Sequence, residues 1–253
     1  AGVPKCTVAD TAANTLEIKR LIDRADAQKL NLLVLPELCV TGYTCGDLFF
    51  SEKLLSSALS VLYEITEYTK GKYPVTVAGL PLLYSFKLYN CAAVIYDGSI
   101  LGIVPKTYLP NYSEFYELRQ FSSGAGIRGD AEITVNGKTV PFGTDLIFSH
   151  GSMPEYAFGV EICEDLWAVS QPSEGLCRGG AVIIANPSAS NEVIGKAEYR
   201  KMLVQSTSAR LLCGYVYSSS GSGESSQDLV YSGHCIIAEN GTALAESAPF
   251  EEQ

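Results

Sequence analysis

Four apolar runs in this sequence lack the polar alternation of a half-exposed strand, and each stops abruptly. They are NLLVLPEL, VTVAGLPLL, YAFGVEIC and GGAVIIANPS, at residues 31–38, 75–83, 156–163 and 179–188. Runs of this kind are typical of strands that are buried on both faces. A chain that contains several of them must cover its sheets with further layers, which favours an α/β architecture.

Amphipathic segments separate these runs. The segment that begins at Asn14 repeats apolar residues at helical spacing, with Asn14 and Glu17 in the positions of a capping box. A second helix is predicted from about Ser51, and a third from about Gly195 to Leu211. The alternation of strands with helices predicts mixed sheets covered by helices.

Two hairpins and two long loops complete the predicted organisation. The hairpins turn at Asp97-Gly98 and Asn240-Gly241, dipeptides that favour two-residue turns. Residues 105–130 and about 136–154 lack clear periodicity and predict loops. No linker or internal repeat divides the 253 residues, so a single domain spanning residues 1–253 is expected.

Composition excludes several classes of function. With 28 acidic and 18 basic residues, a net charge of -10 and no basic run, the chain lacks the charge that nucleic-acid binding needs. No apolar run is long enough to cross a membrane and no signal peptide is present, so cytoplasmic localisation is expected. The eight cysteines form no CxxC pair and predict buried reduced thiols, and two histidines are too few for a histidine-rich metal site.

Three reactive residues stand at the ends of apolar strands. Glu37 follows LLVLP, Lys106 follows LGIVP, and Cys163 ends FGVEI. Ligands bind at the carboxyl ends of strands in open α/β sheets, so these residues are predicted to converge. Each also has a purely structural interpretation. Glu37 can be a strand-end cap, Lys106 a solvated loop charge, and Cys163 one of eight core thiols.

Three motifs around these residues resemble a known family. LPELCVTGY, VPKTYLP and GVEICEDLW have the order and spacing of motifs in the nitrilase, or carbon-nitrogen hydrolase, superfamily, and ANPSAS at residues 185–190 is similar to a later segment. The resemblance covers essentially the whole chain. It implies an αββα four-layer sandwich, with Cys163 as nucleophile, Glu37 as general base and acid, and Lys106 as electrostatic stabiliser. Lys106 is also expected to supply the cation that favours a thiolate.

Further strings resemble one branch of that superfamily, the glutaminase domain of glutamine-dependent NAD synthetases. They include TGYTCGDLFF, LPNYSEFYELRQF, NPSASNEVIGKAEYR and SGSGESSQDLVYSGHCIIAENG. The resemblance implies that Tyr112, Ser190 and Lys196 hold the backbone of L-glutamine and that Glu117 lies beside the catalytic lysine. Trp167 is interpreted either as part of the substrate pocket or as packing of a loop over the core.

This branch also implies a reaction and a partner. Glutamine is hydrolysed to glutamate and ammonia through a cysteine thioester, without a cofactor. The ammonia serves the ATP- and Mg²⁺-dependent conversion of deamido-NAD to NAD by a C-terminal synthetase domain, which is absent from this chain. A homo-oligomer is expected. Two alternatives stay open: a free-standing ω-amidase or carbamoyl hydrolase of the same superfamily, and a non-catalytic assembly module.

Several residues near the motifs have competing interpretations. Glu164 and Asp165 flank Cys163 and are predicted to be structural hydrogen-bond acceptors. Lys196 and Arg200 lie four residues apart, and a solvated helix face is the alternative to a substrate anchor. SGSGES at residues 220–225 resembles a phosphate loop only superficially, because no helix is predicted after it. A papain-like pairing of Cys163 with one of the two histidines is disfavoured.

Overall fold

The computed structural model describes residues 1–250. Its strands are β1 (Leu32–Val34), β2 (Val75–Tyr84), β3 (Lys87–Tyr96), β4 (Ser99–Pro105), β5 (Glu132–Val135), β6 (Lys138–Pro141), β7 (Ile147–His150), β8 (Met153–Val160), β9 (Ile183–Ser188), β10 (Gly214–Ser219), β11 (Cys235–Glu239) and β12 (Thr242–Glu246). The helices are α1 (Thr11–Ala27), α2 (Glu52–Tyr68), α3 (Glu117–Gln120), α4 (Pro172–Arg178) and α5 (Lys196–Leu211), with 3₁₀ segments at Tyr43–Phe50 and Cys163–Leu166.

The strands form two main sheets and a small ribbon. A four-stranded sheet has the order β1-β2-β3-β4, a six-stranded sheet has the order β12-β11-β10-β9-β8-β7, and β5 pairs with β6. β1 runs parallel to β2, and β8, β9 and β10 run parallel to one another. The remaining neighbours are antiparallel. Both main sheets are therefore mixed.

Three apolar layers hold the sheets and helices together. In β2, Val77 faces the six-stranded sheet, whereas its neighbour Ala78 faces α1 and α2. Successive side chains of a strand point to opposite faces, so one strand contributes to two layers. The layer between the two sheets contains Val34, Val77, Val94, Val104, Phe158, Val160 and Ala185.

The outer layers lie under the helices. Ile22 of α1 and Ile65 of α2 pack on the outer face of the four-stranded sheet. Leu176 of α4 and Val204 of α5 pack on the outer face of the six-stranded sheet, against Tyr215. The order of layers is helix, sheet, sheet, helix, which confirms the αββα prediction.

The predicted hairpins and most predicted strands are confirmed. β3 and β4 join at Asp97-Gly98, and β11 and β12 join at Asn240-Gly241. All four turn residues have positive φ, of 44° and 74° in the first turn and 47° and 84° in the second. Positive φ at both central residues defines the type I′ turn that these dipeptides favour. All eight cysteines are free thiols, and seven are buried.

The predicted start of the first helix was wrong. α1 begins at Thr11, and Asp10 caps it by accepting a hydrogen bond of 3.0 Å from the backbone N–H of Ala13. Asn14 instead lies inside the first turn with its side chain buried, where its Nδ2 donates to the carbonyl oxygen of Val40 at 3.1 Å. A tertiary contact therefore occupies the side chain that the pattern assigned to the cap.

The loop predicted at residues 136–154 was also wrong. This stretch contains β6 and β7 and the start of β8. β6 and β7 have only four residues each, and most of these are exposed or half-buried. Strands this short and polar show too little apolar alternation to be recognised in the sequence. α4 was not predicted either.

Candidate active site

Two backbone segments, one in β9 and one in β2, lie against the turn that carries Glu37. Glu37 lies three residues beyond the end of β1, and its backbone N–H donates to the carbonyl oxygen of Ser188 at 3.2 Å, at the end of β9. On its other side the segment rests on Gly79 of β2. A Cβ atom on Gly79 would lie 2.2 Å from the nitrogen of Leu38 and 2.6 Å from the oxygen of Pro36. Only glycine at this position leaves room for the Glu37 turn.

A buried ionic cluster surrounds Lys106, which follows β4 directly. Its Nζ donates to Oε1 of Glu37 and to Oε1 of Glu117, at 2.6 Å each. The Nδ2 of Asn90 also donates to Oε1 of Glu37, at 2.7 Å, and the hydroxyl of Tyr43 donates to Oε1 of Glu117, at 2.8 Å. The cluster therefore joins two carboxylates through one ammonium group.

The electrostatic environment fixes the charge of this cluster. Burial alone would disfavour the ammonium form of Lys106, but Glu117 and Glu37 outweigh it and hold the pKa of Lys106 well above its usual value. Burial raises the pKa of Glu117 to about 7, against the opposing effect of Lys106. This shift favours the ammonium form of Lys106, whose charge is shared between two carboxyl groups.

The two carboxylate oxygens of Glu37 have different environments. Oε1 accepts the hydrogen bonds from Lys106 and Asn90. Oε2 is buried and has no hydrogen-bond partner among residues 1–250. An oxygen that already accepts two strong hydrogen bonds is a poor proton acceptor, so Oε2 is the oxygen available for proton transfer.

Cys163 stands at a strained turn, three residues beyond the end of β8. Its φ of 46° lies in the left-handed region, which costs a residue other than glycine on the order of 1–3 kcal/mol. Its backbone N–H donates to Oδ1 of Asn186 at 3.1 Å. The carboxylate of Asp165 accepts from the N–H of Ile162 at 2.9 Å and of Tyr108 at 2.8 Å. Asp165 is thus a structural hydrogen-bond acceptor, as predicted, and joins the Cys163 turn to the Lys106 segment.

The surroundings of Cys163 favour the protonated form of its thiol. Burial, followed by the negative charge of Glu37, raises its pKa, and Lys106 opposes this shift without reversing it. Lys106 acts in the direction expected from the sequence, but its charge is shared between Glu37 and Glu117. A nucleophilic thiolate here requires a base during attack.

A cavity of about 400 Å³ opens beside Cys163. Tyr112, Trp167, Ser190 and Lys196, the residues that the sequence predicts to bind substrate, all line it. Glu117, like Glu37 and Lys106, is not among the lining residues, and it contacts Lys106. The other residues that line the cavity are Pro110, Phe115, Glu164, Val193, Ile194, Gly195 and Tyr199.

Charged side chains in the lining of this cavity make two kinds of contact. The half-buried ammonium of Lys196 lies 5.3 Å from the centroid of the Trp167 ring and 5.5 Å from that of Phe115. At such distances a cation is attracted to the faces of aromatic rings. The hydroxyl of Tyr112 donates to the carboxylate of Glu164 at 3.1 Å. The lining of the cavity therefore contains both a cation and a carboxylate.

The sequence profile described as Carbon-nitrogen hydrolase matches residues 2–253. The chain belongs to the carbon-nitrogen hydrolase family. It is 41% identical over 244 residues to the glutamine-dependent NAD(+) synthetase of Mycobacterium tuberculosis, a match that covers 96% of this chain and 36% of that protein. The chain thus spans about a third of the length of the curated relatives that it matches.

Solved structures of carbon-nitrogen hydrolase relatives share the fold. The crystal structure of a glutamine-dependent NAD(+) synthetase from Cytophaga hutchinsonii superposes with a TM-score of 0.85 at 29% identity, covering 98% of this chain and 40% of that one. A nitrilase-superfamily member from Saccharomyces cerevisiae superposes with a TM-score of 0.73 at 22% identity, covering 99% of this chain and 84% of that one. The second likeness concerns the fold alone.

The structure excludes one alternative interpretation of a residue near this site. The solvated helix face proposed as an alternative for Arg200 does not exist at that residue, because its side chain is fully buried. Its guanidinium donates to the carbonyl oxygen of Asn191 at 3.1 Å, to Glu192 at 3.2 Å and to the hydroxyl of Ser190 at 3.4 Å. Arg200 thereby fixes the segment that carries Ser190 into the cavity.

The two histidines have partners of their own. His234 makes hydrogen bonds with Arg200 at 2.7 Å and Glu246 at 3.0 Å, and the exposed His150 lies beside Ser152. Within residues 1–250 no group of three or more His, Cys, Asp or Glu side chains is placed to hold a metal ion. In the same part of the chain, no helix combines the length and the apolarity needed to cross a membrane.

Proposed function

We propose that this chain hydrolyses the side-chain amide of L-glutamine through a thioester on Cys163. The observation that carries the proposal is the buried cluster of Glu37, Lys106 and Glu117 beside the thiol, at a cavity that contains the ammonium of Lys196. A nucleophile with a base and a cation near it suits attack on an amide, and a second cation in the cavity lining suits a substrate with a carboxylate.

The first half of the reaction forms the thioester. Oε2 of Glu37 takes the proton from the Cys163 thiol as the sulfur attacks the carbon of the amide. Negative charge develops on the amide oxygen, where Lys106 and the backbone N–H of Glu164 can stabilise it, each donor contributing roughly 2.7–4 kcal/mol. Glu37 then passes the proton to the nitrogen, the carbon–nitrogen bond breaks, and ammonia leaves.

The second half hydrolyses the thioester. Glu37, again a carboxylate, takes a proton from a water molecule whose oxygen attacks the thioester carbon. The carbon–sulfur bond breaks, glutamate forms, and the proton on Glu37 returns to the sulfur of Cys163. One glutamine and one water molecule give one glutamate and one ammonia, with the enzyme unchanged.

The cavity wall supplies groups for the two charged ends of the amino acid. Lys196 offers its ammonium to the α-carboxylate, and Ser190 offers a hydroxyl. We assign the α-amino group to Tyr112 and its partner Glu164. Burial lowers the pKa of Lys196, an effect that a bound carboxylate would offset because it favours the charged ammonium. Trp167 gives the apolar stem of the substrate a surface to pack on.

The names of the relatives suggest where the ammonia goes. They are glutamine-dependent NAD(+) synthetases, of which this chain spans about a third. We propose that the ammonia passes to a synthetase region, which would use ATP and Mg²⁺ to convert deamido-NAD to NAD. Association of the chain into a homo-oligomer stays a prediction.

An ammonia-release assay tests the proposal. The 253-residue chain should release ammonia from L-glutamine faster than from propionamide, and Cys163→Ala should abolish release while leaving the circular dichroism spectrum unchanged. Cys177→Ala, which removes a half-buried thiol that does not line the cavity, is the matched control and should keep full activity. If Cys163→Ala kept a tenth of the rate, the nucleophile would be another group. A preference for propionamide would favour the free-standing amidase.

A further inference from the structure

A chain of buried hydrogen bonds runs behind Cys163. Its backbone N–H donates to Oδ1 of Asn186 at 3.1 Å, and Nδ2 of Asn186 donates to the hydroxyl of Tyr215 at 2.8 Å. That hydroxyl donates to Oε1 of Glu161 at 2.5 Å, and Oε2 of Glu161 accepts from the N–H of Ser173 at 2.9 Å. Asn186, Tyr215, Glu161 and Ser173 are all fully buried, so water cannot replace a lost partner.

The direction of each bond in this chain follows from Glu161. The N–H of Ser173 can only donate, so Oε2 of Glu161 must accept. A carboxylate offers a second acceptor to Tyr215, whose single hydroxyl hydrogen is then used. The Tyr215 oxygen can therefore only accept from Asn186, and this requires the Nδ2 end of the Asn186 amide.

The orientation of Asn186 in turn controls the turn at Cys163. With Nδ2 facing Tyr215, the Oδ1 atom faces the N–H of Cys163 and also accepts from the hydroxyl of Ser188 at 2.7 Å. Cys163 holds a left-handed backbone that is unfavourable for its residue type. Its N–H bond to Asn186 is one of the contacts that hold it there.

We propose that Glu161 is a positioning residue, which acts through Tyr215 to fix the Asn186 amide and thereby the attack geometry of Cys163. The inference rests on the proposed function in one respect, namely that Cys163 is the nucleophile. Glu161 itself does not touch the cavity, and no role was assigned to it from the sequence.

The substitution Glu161→Gln should exchange donor and acceptor in two of these hydrogen bonds, the one between residue 161 and Tyr215 and the one between Tyr215 and Asn186. Glutamine has one acceptor oxygen in place of two. When that oxygen accepts from Ser173, the amide nitrogen donates to the hydroxyl of Tyr215, which must then donate to Asn186. The Asn186 amide flips, and its Nδ2 faces the N–H of Cys163, where two donors repel each other.

This reasoning predicts that a second substitution rescues the first. In Glu161→Gln/Tyr215→Phe the hydroxyl is gone, so nothing forces the Asn186 amide to flip and its Oδ1 can still accept from Cys163. The double variant should therefore be more reactive than Glu161→Gln alone. If Glu161 only stabilised the fold, Cys163 in the double variant would be no more reactive than in the worse single variant, because each change leaves buried groups unpaired.

The test measures the second-order rate constant for alkylation of Cys163 by iodoacetamide, by peptide mass spectrometry, together with kcat and KM for glutamine. Glu161→Gln should slow alkylation and lower kcat at least tenfold while changing KM less than twofold. In the double variant, the logarithm of the alkylation rate constant should recover at least a third of the decrease that Glu161→Gln causes. Tyr89→Phe, at a buried tyrosine of the four-stranded sheet, is the control and should match the wild type.

The outcomes separate the two proposals. If wild-type Cys163 is not alkylated, the proposed nucleophile fails. If it is alkylated but Glu161→Gln reacts at the wild-type rate, or the double variant reacts no faster than Glu161→Gln, the positioning role fails. Should Glu161→Gln not fold, Asn186→Leu still tests the inference, because it removes the oxygen that accepts from the Cys163 N–H with little change of volume. An alkylation rate within twofold of wild type would then overturn the inference.

Discussion

At the scale of single residues, the unequal oxygens of Glu37 determine what a substitution there should do. Glu37→Gln keeps an oxygen that accepts from Lys106 and Asn90 but removes the proton acceptor. Loss of general acid–base catalysis should lower kcat by about 10²–10⁴, with little change in KM. Steady-state kinetics on glutamine measure this effect, and Glu17→Gln, at a half-exposed residue of α1, is the control. A fall of less than tenfold would show that Glu37 is not the base.

Lys196 should affect binding more than chemistry. Lys196→Ala removes a charge-assisted hydrogen bond, a type worth roughly 1.5–3 kcal/mol, so KM for glutamine should rise about tenfold or more. Hydrolysis of propionamide, which has no carboxylate, should change little. Lys201→Ala in the same helix removes a surface ion pair with Glu246 and serves as the control. Equal losses on both substrates would refute the role of Lys196 as a carboxylate anchor.

The sequence motifs point to residues that carry reactive groups but not to those that orient them. Glu37, Lys106 and Cys163 stand at strand ends in recognisable strings. Asn90 lies in the middle of an apolar strand, 53 positions from Glu37, and Tyr215 lies 54 positions from Glu161. Contacts between strands so far apart in the chain leave no periodic pattern. A polar residue inside an apolar run, as in YNCAAVIY, is the only sequence feature that could have suggested Asn90.

At the scale of structural elements, Gly79 lets β2 lie against the Glu37 turn. In Gly79→Ala the new Cβ would meet backbone atoms of residues 36–38, which cannot rotate away. Such overpacking typically costs about 1–3 kcal/mol, and the displaced Glu37 should lower kcat as well. Urea unfolding and glutamine kinetics measure both effects.

A glycine elsewhere in the chain gives the matched control for Gly79→Ala. Gly175 lies inside α4, where an added Cβ meets no atom within 4 Å. Gly175→Ala should leave activity unchanged and keep or raise the free energy of unfolding, by up to about 1 kcal/mol. If Gly79→Ala behaved like Gly175→Ala, the close approach would not position Glu37.

His234 should make the packing of α5 on β11 and β12 sensitive to pH. Burial, together with Arg200, lowers the pKa of His234, while Glu246 opposes the shift. Because the unfolded chain takes up the proton first, stability should be full above about pH 6.5 and fall as the pH drops below it. His234→Gln keeps an acceptor for Arg200 and a donor for Glu246 but does not titrate.

Unfolding free energies at pH 7.5 and pH 5.0 check the role of His234. The wild type should lose more stability between these values than His234→Gln, since the other titrating groups are common to both proteins. Identical losses in the two proteins would mean that His234 keeps its ordinary pKa in the folded state.

The sequence predicted elements well where burial is complete and poorly where it is not. β2, β3 and β9 are almost fully buried, and their apolar runs identify them. The ribbon and β7 are short and largely exposed, so they resemble loops in the sequence. The seven-residue α4 is shorter than the window over which helical periodicity becomes visible.

At the scale of the whole molecule, the active site exists because two sheets pack face to face. Glu37 and Lys106 leave the four-stranded sheet, whereas Cys163 leaves the six-stranded sheet. The layer between the sheets, which includes Val77 and Val160, sets their separation. The αββα architecture followed from the family resemblance, because the alternation of strands and helices alone did not specify how many sheets there are.

The most direct test of the account is covalent trapping with a diazo-ketone analogue of glutamine, followed by intact and peptide mass spectrometry. We predict one adduct, on Cys163, that excess L-glutamine suppresses and that Cys163→Ala lacks. The reagent resembles glutamine in its α-amino and α-carboxylate groups, so Lys196→Ala should also slow its reaction. An adduct on a different cysteine, no adduct at all, or labelling that L-glutamine does not suppress would contradict the proposal that this site hydrolyses glutamine through Cys163.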